Sequence, residues 1–140
     1  MVVFPYPLHG VKLYGNAIIV SPKFLKENPE AVKAFLRGLA KGIKDVLANP
    51  DAAIDTVKAR DGIINVELEK RRLKMAIDQV VASPDARAEG FGQVKLPRLA
   101  LMASQVGDAF NTKTRVNPDA VWTPAYLPSA AELNVLPPKK

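Results

Sequence analysis

One four-residue device recurs along this chain and fixes where its helices can begin. Asn28-Pro29-Glu30-Ala31, Asn49-Pro50-Asp51-Ala52, Ser83-Pro84-Asp85-Ala86 and Asn117-Pro118-Asp119-Ala120 all carry it. The Asn or Ser oxygen can accept from an orphan backbone N–H, proline presets φ at the first helical position, and the acid suits the positive end of the helix dipole. Each copy therefore predicts a helix start. Ser21-Pro22 repeats the first half of the device, and Asn65 offers a cap without proline.

The longest predicted helix runs from Pro29 to Ala48, with Val32, Phe35, Leu36, Leu39, Ile43, Val46 and Leu47 on one stripe at 3.6-residue spacing. Gly38 and Gly42 flank that stripe against helix propensity, which implies close approach of another backbone. Further helices are predicted over Pro50 to Ala59, up to the Asp61-Gly62 turn, over Val66 to Ala82, and from Pro97 to Phe110. The helix over Val66 to Ala82 carries Leu68 and Met75 nearly opposite its main stripe of Val66, Leu73, Ile77, Val80 and Val81, for which burial on two sides is one explanation that a small fragment need not provide.

Leu13 to Val20 reads as a strand. Its Ala17-Ile18-Ile19-Val20 run is apolar without alternation, as in a strand covered on both faces. The segment from Asn111 onward holds five of the 12 prolines and is expected to wrap, with short helices after Asn117 and near Ser129 to Leu133. The expected fold class is thus α/β but mainly α-helical, with one or two strands and about five helices. Phe35, Leu39, Ile43, Leu73, Ile77, Met102 and Val106 are the expected core. Phe35→Ala should then cost roughly 3 to 5 kcal/mol, and Asn28→Ala about 1 kcal/mol through loss of a cap.

Composition removes several chemistries. With 48% hydrophobic and 24% charged residues over 140 positions, the chain suits a folded domain. It has no cysteine, so thiolate zinc sites, iron-sulfur clusters and cysteine nucleophiles are absent. His9, the single histidine, lies beside Pro7 and Gly10 without a partner motif, so no catalytic triad and no metal site is expected. The net charge of +6 is dispersed: Lys70, Arg71, Arg72 and Lys74 alternate with Glu67, Glu69 and Asp78 at helical spacing. Aromatics are not interleaved with the cations, which speaks against nucleic acid as a partner. Gly90-Phe91-Gly92 lacks the third glycine and the Lys-Ser or Lys-Thr of a phosphate loop. Residues 1–10 contain Pro5 and Pro7 and no apolar run of export length, so this chain shows no signal peptide.

The order of Tyr14-Gly15-Asn16, SPKFLKENPEAVKAFLRGLAKGIKDVLANPDAAI, SPDARAEGFGQV and NPDAVWTPAYLP resembles the type II periplasmic-binding-protein superfamily. Its members serve ABC importers of nitrate, sulfonates, taurine or thiamine-precursor pyrimidines. The likeness runs from about Val11 to Pro128 and is carried by caps, core positions and turns. It implies a C-terminal part of such a lobe over residues 13–128, between a hinge or lead-in over 1–12 and a tail over 129–140. It also implies a small-molecule ligand, an ABC permease as partner, a periplasmic location and no cofactor. Family members are about twice this length and carry most ligand contacts in an N-terminal half without counterpart here. Of the residues present, Tyr14 and Asn16 are implied as ligand-binding, because the strand returning from the hinge faces the cleft. One branch of the superfamily is enzymatic, making the thiamine pyrimidine with a cysteine-rich motif, which this chain lacks; binding is therefore expected, not catalysis.

A helical-repeat interaction module is the competing reading, prompted by the 34-residue spacing from Asn49 to Ser83 and from Ser83 to Asn117. A central sheet would decide against it, and stacked helix pairs alone would decide for it. Because the Ala17 to Val20 run has no strand of its own to lie against, the chain alone is expected to pair with a second copy as a homo-oligomer and to bind no solute tightly.

Overall fold

The computed structural model describes residue 2 and residues 4–137. Seven α-helices run through them: α1 (Pro22–Glu27), α2 (Pro29–Ala48), α3 (Pro50–Arg60), α4 (Val66–Ala76), α5 (Pro84–Glu89), α6 (Leu96–Ala109) and α7 (Ala130–Leu133). A π turn, Ile77–Val81, continues α4, and 3-10 turns cover Tyr6–His9 and Pro118–Ala120. Of the expected lead-in and tail, residues 1, 3 and 138–140 lie outside the described residues.

No strand occurs among the described residues, so the α/β class with one or two strands is corrected to a helical one. Residues 13–20 lie outside any regular element, and Ile19 is 92% exposed. A strand is defined by its ladder: β-branched side chains suit a sheet, but the pairing N–H and C=O groups must come from another extended run. None pairs with it among the described residues.

The cap grammar is realised at most of its sites. Asn49 Oδ1 accepts from the N–H of Ala52 at 3.1 Å, Asn65 Oδ1 from that of Leu68 at 3.0 Å, and Ser83 Oγ from that of Ala86 at 3.2 Å. Asn117 bonds the N–H of Asp119 at 3.1 Å. Asn28 departs from the expectation and makes no side-chain cap bond, its backbone standing at φ −135°, ψ 50°. It is the single residue between α1 and α2, so both helices constrain the backbone that would aim its side chain. The 34-residue spacing does not generate a repeat either, since the starts at Pro50, Pro84 and Pro118 lead into Pro50–Arg60, Pro84–Glu89 and a 3-10 turn over Pro118–Ala120.

The chain divides into two compact units, Met1–Leu25 with Val94–Ala125 and Lys26–Gln93 with Tyr126–Lys140. In the second, α2 packs on α3 and α7, and α3 on α4. Its buried apolar residues are Val32, Ala40, Ile54, Leu133 and Val135. Leu133 is placed from three directions. Ser129 and Glu132 form a capping box ahead of it, the serine hydroxyl and N–H holding the Glu132 carboxyl below its ordinary range. The Phe91 N–H donates to Leu133 O at 2.8 Å. Gly90, at φ 99°, approaches so closely that an added Cβ would lie 3.1 Å from that of Leu133.

The core differs from the expected set. Phe35 is 57% exposed, Leu39 and Val106 are exposed too, and Ile43, Leu73, Ile77 and Met102 are half-buried. The apolar arc of α2 is wider than its covered part: Val32, Leu36, Ala40, Ile43 and Leu47 lie on the covered half, while Phe35 and Leu39 stand outside it. Nothing lies within 4 Å of a Cβ built on Gly38 or Gly42, so the close approach expected there does not occur among the described residues. Met75 is likewise exposed, which removes the expected two-sided burial of α4.

Two contrasts in urea unfolding check this arrangement. Ile54→Ala should cost about 2 to 5 kcal/mol and Phe35→Ala less than about 1. Asn49→Ala should cost about 1 kcal/mol, while Asn28→Ala stays within a few tenths. Equal losses within either pair would contradict the observed burial or capping.

Candidate functional site

The first unit is organised by one face of α6. Arg98, Met102 and Gln105, spaced i, i+4 and i+7, stand above one another on a helix, and all three reach the segment Gly10–Tyr14. Gln105 Nε2 donates to Gly10 O at 3.2 Å. Arg98 donates through Nε to Lys12 O at 3.1 Å and through Nη2 to Leu13 O at 2.7 Å. The Tyr14 N–H donates to Met102 Sδ at 3.2 Å, a weak acceptor. The clasp thus supplies from side chains the backbone partners that a neighbouring strand would have given.

Tyr14 closes the clasp. Its hydroxyl accepts from the Lys95 N–H at 2.8 Å, and the Arg98 guanidinium lies 4.2 Å from its ring centroid. The ring is half-buried; the hydroxyl retains its own proton for a further acceptor. Asn16, two residues on, is exposed, and its side-chain amide finds no hydrogen-bond partner among the described residues. The two residues expected to bind ligand are therefore close in sequence but unlike in role: Tyr14 is fixed on α6, and Asn16 projects beyond the clasp with a free acceptor and two donors. One further polar atom is unsatisfied. Gln105 Oε1 is buried without a donor among the described residues.

His9 stands apart from this arrangement, exposed and 6.2 Å from the Phe4 ring centre. Among the described residues no cluster of three His, Cys, Asp or Glu side chains could hold a metal ion. Arg98 and Gln105 were not expected as site residues. The sequence signal for them is their i, i+7 relation about Met102, on the flank of the stripe Leu99, Met102, Val106 and Phe110.

A family model described as NMT1/THI5 like matches residues 1–53. The riboflavin-binding protein RibY of Chloroflexus aurantiacus is 46% identical over 43 residues, which is 31% of this chain and 12% of that protein. The matched part thus spans about an eighth of the curated relative's length. No solved structure matches the chain. The span similar to the NMT1/THI5 like family includes Tyr14, Asn16, α1 and α2. No helix among the described residues is long and apolar enough to cross a membrane.

Arg98→Ala removes two charge-assisted bonds to backbone carbonyls, each of a kind worth about 1.5 to 3 kcal/mol. Amide exchange over residues 10–14 should accelerate at least tenfold, while Ile54 and Leu133 keep their protection. Unchanged exchange at residues 10–14 would show that the clasp does not hold the segment.

Proposed function

We propose that this chain is part of the solute-binding component of an ABC importer, acting in the periplasm and docking on a membrane permease, without catalysis. The observation that carries the proposal is the NMT1/THI5-like match over the segment that holds Tyr14 and Asn16. The ligand is a small anion or heterocycle, of the range nitrate, sulfonate, taurine or a thiamine pyrimidine precursor. The similarity to a protein named for riboflavin binding favours the heterocycle. A flat ring with polar edges suits an exposed carboxamide that can donate and accept, as Asn16 presents. In this reading residues 13–128 are a partial lobe between the lead-in 1–12 and the tail 129–140.

The helical-repeat alternative gains nothing from the missing sheet, because its three equally spaced starts lead into unequal elements. Self-pairing has a specific motive. Ile19 and Ile18, 92% and 51% exposed, lie outside any regular element and pair with no strand among the described residues, and a second copy can supply the ladder.

Titrating the labelled chain with riboflavin, a thiamine pyrimidine precursor, taurine and nitrate should shift the amides of residues 14–16 for the ring compounds, with dissociation constants weaker than micromolar. A site open on one side cannot bury the roughly 70 to 90% of ligand surface usual for tight sites. Asn16→Ala should abolish the shifts. In sedimentation the chain should dimerise with concentration, and Ile19→Lys should abolish that. Shifts confined to other residues, or a strict monomer, would contradict the proposal.

A further inference from the structure

The second unit contains a cleft of about 480 Å³, within the range of small-molecule sites. It is formed between the end of α2, the start of α3, α4 with its π turn, α5 and the C-terminal segment. Half-buried Leu47, Ile77, Ala82 and Leu136 give it an apolar lining.

The charges at its edge are unequally compensated. Lys70 Nζ lies 3.4 Å from Asp51 Oδ1, and Lys74 Nζ lies 2.8 Å from Asp78 Oδ2. The hydrogen bond and charge of Asp51 raise the Lys70 pKa, so this ammonium keeps its proton. Two lysines thus answer the two carboxylates. The third cation at the cleft, Arg87, is exposed and donates through Nη1 to Pro137 O at 3.4 Å, a neutral acceptor, and forms no ion pair among the described residues. The lining as a whole carries one net positive charge over an apolar floor.

The backbone at this wall is also unusual. From Ile77 the helix changes register, the Ala82 N–H donating to Ile77 O at 2.8 Å across an i to i+5 span. Such π turns are rare and recur at functional sites. Both residues of this bond line the cleft, together with Asp78 from within the turn.

We propose that this cleft is a binding site for small apolar-bodied monoanions, separate from Tyr14 and Asn16. A carboxylate head meets the Arg87 guanidinium and an aliphatic or aromatic body lies on Leu47, Ile77, Ala82 and Leu136. A cationic amphiphile would meet the charge of Arg87, and a bare small anion would forgo the apolar floor.

The test titrates the full labelled chain with sodium octanoate. Amide shifts should concentrate at Ile77–Ala82 and Arg87 and saturate in the millimolar range or below. Acetate and octylammonium should leave those amides in place. R87Q should weaken octanoate at least tenfold with an otherwise unchanged spectrum, R87K should restore part of the affinity, and Y14A should have no effect. Equal binding of octylammonium, undiminished affinity in R87Q, or octanoate shifts at residues 14–16 would each overturn the proposal. Failure here leaves the Tyr14 and Asn16 reading standing, because that reading is tested by other ligands at other amides.

Discussion

Every peptide group taken out of water must find a partner, and in the first unit that requirement is met by α6 in place of a sheet. Arg98 and Gln105 receive the carbonyls of Gly10, Lys12 and Leu13, and Met102 receives the N–H of Tyr14. A single guanidinium thus serves two carbonyls and one aromatic ring. Positioning of Tyr14 follows directly, because its backbone is bound to Met102 in the middle of α6 and its hydroxyl to Lys95 at the helix start. Where the clasp ends, order of this kind ends too: beyond Tyr14 the chain passes through Asn16 to Ile18 and Ile19 without a further bond of this type, and these residues are exposed.

The second unit solves a different problem. Its buried apolar side chains are few, and they are drawn from distant parts of the chain: Val32 and Ala40 from α2, Ile54 from α3, Leu133 and Val135 from the C-terminal segment. Local devices hold these parts in register, chiefly the Asn49 cap, the Ser129–Glu132 capping box and the near contact of Gly90 with Leu133. The exposed ion pairs Lys33–Glu30 and Arg72–Glu69 lie on helix surfaces and contribute little by comparison.

What was legible in the sequence was local. Asn49, Asn65 and Ser83 could be read as caps because a cap bond spans three residues, and the long helix Pro29–Ala48 could be read from one stripe. What failed was non-local. The Ala17 to Val20 run has strand chemistry, yet strand formation depends on a partner elsewhere, and none is present among the described residues. Periodicity likewise showed the apolar arc of α2 without showing which half is covered, so Phe35 and Leu39 were assigned to a core that Val32 and Ala40 occupy. In the clasp, Tyr14 is a residue that the family likeness singled out as ligand-binding. Arg98, which fixes it, lies 84 residues away on a helix read for its apolar stripe alone, and the bond between them is visible only in three dimensions.

The central claim is that segment 10–14 is held by helix side chains and that Ala17 to Val20 is not paired in a sheet. Residue-resolved amide hydrogen exchange at dilute concentration addresses it directly. The account predicts slowed exchange for the Tyr14 amide and near-random-coil rates for Ala17 to Val20. Strong protection across Ala17 to Val20 in a dilute monomer would contradict it, since that pattern requires the ladder that this structure lacks.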